Sequence, residues 1–148
     1  MAAAAHDPYD LERFVDAQKS NYPQALTELR AGKKSSHWSW YVLPQLQGLG
    51  SSPMSVRYAI SGLAEAKAYL DHPVLGARLN ETIGALNAHN GLSASRILGD
   101  IDAQKLRSCL TLFSKVAGTN PLFRDTLAKY FPAGEDPSTI TILKQQTG

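Results

Sequence analysis

The side chains most capable of chemistry crowd into one stretch, Lys33-Lys34-Ser35-Ser36-His37-Trp38-Ser39-Trp40, followed by Pro44-Gln45-Leu46-Gln47-Gly48-Leu49-Gly50-Ser51-Ser52. Both tryptophans of the chain fall here, beside an imidazole, two lysines and several hydroxyls. Indole stacks on a base or a sugar, and its N–H orients a polar group. Trp38 and Trp40 therefore read as core or as pocket walls, one of each if the segment is helical. His37 and Gln45 supply directional hydrogen bonds, and Ser36 adds a hydroxyl. Gly48, Gly50 and Ser51 lead into a helix starting at Pro53. Glycines let successive amides point one way, and a helix start adds unpaired N–H groups. Such a corner holds a phosphate, with Lys34 and Arg57 as counter-charge. The spacing is neither a Walker loop nor a dinucleotide fingerprint, and a turn with Ser52 as N-cap accounts for it on its own.

Catalytic groups are sparser. If a glycosidic or phosphate bond is hydrolysed, Asp16 or Asp102 is the candidate general base and His37 the candidate imidazole. Gln18 continues the apolar face of Leu11, Phe14 and Val15, so its amide is expected to point inward toward a polar site and to contact the ligand there. Asp102 and Lys105 head the helix of Leu106, as a cap with a solvated lysine or as members of the site. His6, His37, His72 and His89 form no metal-ligand spacing, and no metal or cofactor is expected. No Gly-x-Ser-x-Gly elbow is present. Cys109 lies in an apolar helical pattern and reads as a small buried hydrophobe. His72, just before Pro73, reads as a cap or a packing group.

The elements that must position these groups are helical almost throughout. The spacing predicts a helix from Asp7-Pro8 through Gln18, and a second capped by Asn21 with Pro23 in its first turn and Gly32 as terminator. It predicts one helix from Ser52-Pro53 to Asp71, another from Pro73 to Asn90-Gly91, and a short turn at Ile97-Leu98. Asp102 caps the helix closed by Gly118, and Asn120-Pro121 opens the next, which Pro132 breaks. Pro137 opens a weak last turn in which Thr139-Ile140-Thr141-Ile142 reads equally as a short strand. The fold class is all-α, a compact orthogonal array of six to eight short helices over residues 8–148, behind a tail at 1–7.

Composition narrows the function classes. The 148 residues are 43% hydrophobic and 19% charged, which excludes a disordered chain. No apolar run approaches a membrane span. The opening Met1–His6 carries no basic leader, and with a single cysteine the compartment reads as the cytosol. Fifteen Lys and Arg against 13 Asp and Glu give a net charge of +2, too balanced for a nucleic-acid-coating protein despite the Arg30–Lys34 cluster.

With His37-Trp38-Ser39-Trp40, Pro44-Gln45-Leu46, Gly48-Leu49-Gly50, Tyr58-Ala59-Ile60, Ala68-Tyr69-Leu70 and His72–Gly76 in view, the chain resembles the Domain of Unknown Function 1810 family from about Leu11 to about Leu143. The likeness continues through Ser93-Ala94, Ile97, Gly99, Asp102, Lys105-Leu106 and Thr111–Phe113, and departs at Tyr41 and Cys109. It implies an all-helical fold and little about activity. A more distant likeness, carried by Asp16-Ala17-Gln18-Lys19 and the basic aromatic loop, is to helical domains that act on ADP-ribose and NAD-related nucleotides. The expected function is a pocket for a phosphorylated, base-containing small molecule, nucleotide-like and open to hydrolysis. The rival is a protein-interaction module that presents the 33–52 loop.

Overall fold

The computed structural model describes residues 7–147. Among these, nine helices follow one another: α1 (Glu12–Ala31), α2 (Ser39–Val42), α3 (Pro53–Arg57), α4 (Leu63–Asp71), α5 (Leu75–Asn87), α6 (Ala94–Leu98), α7 (Asp100–Ser114), α8 (Pro121–Tyr130) and α9 (Pro137–Thr147). The chain is all-helical, as its periodicity predicts. Apart from Asp7, the expected tail lies outside the described residues.

The two helices expected at the start are one. Phe14, Gln18, Tyr22, Ala25 and Leu29 form a buried stripe that runs unbroken past Pro23. Pro23 lies on the solvent face, where water can satisfy the carbonyl its missing N–H leaves behind. Asn21 caps nothing; its amide donates to the Ala17 carbonyl within the helix. The true entry is capped from further back: the Asp7 carboxylate accepts the N–H groups of Leu11 (2.8 Å) and Glu12 (2.9 Å). Gly32 closes the helix in the left-handed conformation, φ 80°, where a side chain would be strained.

The helix expected over 52–71 is two. Ile60, fully buried, leaves helical geometry to pair with the preceding loop: its N–H donates to Gln45 O and its carbonyl accepts the Gln47 N–H, both at 2.8 Å. This parallel bridge with Leu46 fastens the two ends of the 46–60 corner together. The last segment is helical and not a strand, because the Asp136 carboxylate accepts both the N–H (3.1 Å) and the hydroxyl (2.6 Å) of Thr139. Helix α7 starts at Asp100 behind Gly99, so Asp102 is not its N-cap. The ring Nδ1 of His72 accepts the N–H groups of Val74 and Leu75 and so caps α5.

Helix α7 is the axis of the core. It buries Leu106 and Ser108 to Phe113, and packs against α4, α6, α8 and α9, while α1 lies on α2 and α5. A ladder of rings joins these helices, from Phe14 to Tyr69 (5.1 Å, edge-on), to Phe113 (5.5 Å) and to Phe123 (6.0 Å). Burying each such side chain contributes roughly 1.5–3 kcal/mol. Where α4 turns into α5, a Cβ on Gly76 would stand 2.1 Å from the Leu70 carbonyl oxygen. Only glycine allows that approach.

Candidate functional site

The basic aromatic loop is held by two carboxylates. Glu28, on the buried stripe of α1 and 4% exposed, accepts five hydrogen bonds: from the N–H groups of Ser35 (2.8 Å) and Ser36 (3.1 Å), the Ser36 hydroxyl (2.6 Å), the Trp38 indole (2.9 Å) and the Gln24 amide (2.8 Å). Burial opposes its ionisation, but the bonds from Ser36, Ser35, Gln24 and Trp38 outweigh that and hold its carboxyl well below the usual carboxylate range.

Asp102 is the second. Lys34 Nζ lies 2.8 Å from one of its oxygens and 5.1 Å from the centre of the Trp38 ring. Lys105 Nζ lies 3.5 Å from the other oxygen and 4.9 Å from the Trp40 ring. Burial raises the Asp102 pKa, and the bond and charge of Lys34, with Ser39 and Lys105 beside it, lower it further than that, so the net shift is downward. Lys34 also donates its backbone N–H to the Ile97 carbonyl at 2.7 Å, which completes the seam between loop and α6.

These bonds decide which residues remain free. Trp38 is 1% exposed and belongs to the core, while Trp40 is half-buried. Trp40, Gln45 and Gly50 do come together, with Leu46, Ser55 and Tyr58, around a concavity of about 20 Å³. That volume admits one water-sized group. His37 and Trp38 do not line the concavity: Trp38 faces Glu28, and His37 is exposed, joined to its surroundings through its carbonyl, which accepts the Tyr41 hydroxyl at 3.3 Å. Lys34 and Ser36 are committed to Asp102 and Glu28 and supply no free charge or hydroxyl. The helix start at Pro53 is equally occupied. Helix α3 has five residues, and the Ser52 hydroxyl already accepts the Ser55 N–H at 3.1 Å.

Gly48 is exposed at φ 101°, and the remaining loop residue, Ser51, lines a different space. This is an open cleft of about 700 Å³ between the start of α1 and the 47–61 segment, bordered by Tyr9, Asp10, Arg13, Gln47, Ser51 and Arg57. Its floor is built by Arg13, whose five N–H groups are all engaged. Nε donates to the Arg57 carbonyl (2.9 Å), Nη1 to those of Tyr9 (2.5 Å) and Asp10 (2.8 Å), and Nη2 to the Ala59 carbonyl (2.8 Å) and Glu65 (2.9 Å). The other Glu65 oxygen accepts the N–H and hydroxyl of Ser61, both at 2.9 Å. Floor charges are thus paired, and the exposed Arg57 guanidinium is a cation at the rim, with Nε near the Tyr58 hydroxyl at 3.3 Å.

The remaining candidates lie elsewhere. Gln18 is buried as its spacing predicts, but its amide donates to the Tyr41 carbonyl (2.6 Å) and the Tyr69 hydroxyl (3.1 Å) inside the core. Asp16 is exposed on α1, and it borders neither the concavity nor the cleft. Asp16, His37 and Asp102 share no hydrogen bond or cavity among the described residues. Burial pushes the Cys109 thiol far above its ordinary value. No group of three or more His, Cys, Asp or Glu among the described residues could hold a metal ion, and no helix there is long and apolar enough to cross a membrane. Glu28, Arg13 and Asp10 were invisible as site residues. For Glu28 the available signal is its place on the α1 stripe.

Residues 8–143 match the family described as Protein of unknown function (DUF1810). The chain belongs to the DUF1810 family. Among solved structures, the conserved hypothetical protein Rv1873 from Mycobacterium tuberculosis is 51% identical, with 93% of this chain and 99% of that chain covered and a TM-score of 0.91. No curated protein matches the chain. The DUF1810 match spans all nine helices except the last residues of α9, so the corner at 46–60 and the cleft lie wholly inside it.

Proposed function

We propose that this DUF1810 protein binds a phosphorylated small molecule of nucleotide size in the cleft between Tyr9–Arg13 and the 47–61 segment. The observation that carries the reading is a cleft of about 700 Å³ with an exposed guanidinium, Arg57, on its rim. Ligand sites are concave, of roughly 300–1,000 Å³, with a few placed polar groups. Arginine binds phosphate through a planar fork, and the Ser51 hydroxyl and Gln47 amide stand beside it as further donors. Tyr9, Pro53 and Val56 add apolar surface for the base or sugar, and Val56 is 60% exposed. Of the residues first expected at a phosphate, this reading uses Arg57 and Ser51 and leaves out Gly48, Gly50 and Lys34, the last of which pairs with Asp102. The reading is one of binding.

A thermal-shift panel of nucleotides, ADP-ribose, NAD, ribose 5-phosphate and inorganic phosphate tests it. A ligand present at about 100 times its dissociation constant adds roughly 2.7 kcal/mol of apparent stability. At least one phosphorylated compound is expected to raise Tm in the native protein and not in Arg57→Gln. Flat curves across the panel would sink the reading.

A further inference from the structure

We propose that Asp10 is a second anchor in this cleft, and that the ligand is a phosphorylated sugar, whose vicinal hydroxyls Asp10 accepts while Arg57 holds the phosphate. The inference rests on the reading of the cleft given above. Its starting point is backbone geometry. Asp10 is the only non-glycine residue with positive φ among the described residues, at 52°. Aspartate tolerates that region better than most residues, yet such a conformation persists only where the surroundings enforce it. Here they do. Arg13 Nη1 donates to the carbonyls on both sides of the Tyr9–Asp10 step, and the Asp10 N–H donates to the Asp7 carbonyl at 3.1 Å. A fully engaged arginine therefore fixes the direction in which Asp10 leaves the chain, at the border of the cleft of about 700 Å³.

The carboxylate so displayed is exposed, and no donor among the described residues hydrogen-bonds to it. The other acid of the cleft, Glu65, is consumed by Arg13 and Ser61. Asp10 is thus the free anionic acceptor of the site, close enough to Arg57 for the two charges to act on each other. This arrangement selects against a bare anion. Inorganic phosphate gains from Arg57 and is repelled by Asp10. A ligand with phosphate at one end and hydroxyl donors beyond it satisfies both, since an ionised carboxylate has two oxygens and accepts from adjacent hydroxyls, as carboxylates do on ribose.

The test is a matched pair of probes, AMP and 2′,3′-dideoxy-AMP, titrated calorimetrically into the native protein, Asp10→Asn and Asp10→Gly. The glycine variant removes the carboxylate at a φ that glycine favours, so folding is preserved. Native protein is expected to bind AMP at least tenfold tighter than the dideoxy compound. Both variants should bring that ratio near one, with affinity for the dideoxy compound unchanged or increased. Equal affinity of the native protein for the two probes would overturn the role of Asp10 and leave the phosphate reading standing. Absence of binding by both probes would also overturn the role of Asp10, and the phosphate reading falls with it only if the whole thermal-shift panel is flat.

Discussion

Glu28 shows how a single carboxylate can organise a loop without touching a ligand. Its five donors are the Gln24 amide on α1, the two successive backbone amides of Ser35 and Ser36, the Ser36 hydroxyl and the indole of Trp38. Replacing it by Gln turns an N–H group toward those donors and removes the charge they converge on. Glu28→Gln is expected to cost roughly 2–4 kcal/mol in equilibrium unfolding, since buried donors lose their acceptor. The same residue predicts acid behaviour. Its folded-state pKa lies below the ordinary value of 4.5, so its contribution is fully present above that value and is lost as pH falls through the lower folded one. Asp102 shifts in the same direction. Stability should therefore begin to fall as the pH drops below about 4.5, continue to fall toward the lower folded-state values, and fall less steeply in Glu28→Gln. An identical slope in the two proteins would remove Glu28 from the explanation.

Among elements, the corner between α4 and α5 makes the sharpest demand. Gly76→Ala would drive a Cβ into backbone atoms of Leu70, at 2.1 and 2.9 Å, so the two helices must part. A loss of about 3 kcal/mol or more is expected in chemical denaturation. Gly84, inside α5 with no atom within 4 Å of its added Cβ, is the contrast. Gly84→Ala should stabilise by about 0.5–1 kcal/mol through helix propensity. The elements also mark where sequence reading succeeds. Caps with short-range signals were legible: Ser52 before Pro53, Asn120 before Pro121, and His72 before Leu75. What misled was decided by distant partners. Pro23 reads as a helix start until the buried stripe beneath it is seen to continue. Ile60 reads as helical until Gln45 and Gln47, far back in the chain, claim its backbone.

Across the whole molecule the same division holds. The all-helical architecture was legible because each helix repeats its apolar spacing many times over. The site was legible only in part. Gly50, Trp40 and Gln45 meet as their shared loop suggests, and Ser51 and Arg57 border one cleft. Lys34 and Ser36 looked free because the carboxylates that engage them, Asp102 and Glu28, lie on α7 and α1. Arg13 binds carbonyls 44 and 46 residues away, a relation no local pattern encodes. The cleft is thus the product of long-range closure, with its floor neutralised and Arg57 and Asp10 left at its edge.

The central claim is that Arg57 receives a phosphate. Calorimetric titration of ribose 5-phosphate and AMP into the native protein and Arg57→Gln tests it most directly. The substitution spares the Arg13 clamp, which uses the Arg57 backbone carbonyl and not its side chain. Saturable binding of at least one of the two by the native protein, weakened at least tenfold in Arg57→Gln at unchanged Tm, is the predicted result. Binding of equal strength in the two proteins, or none in the native one, would contradict the claim.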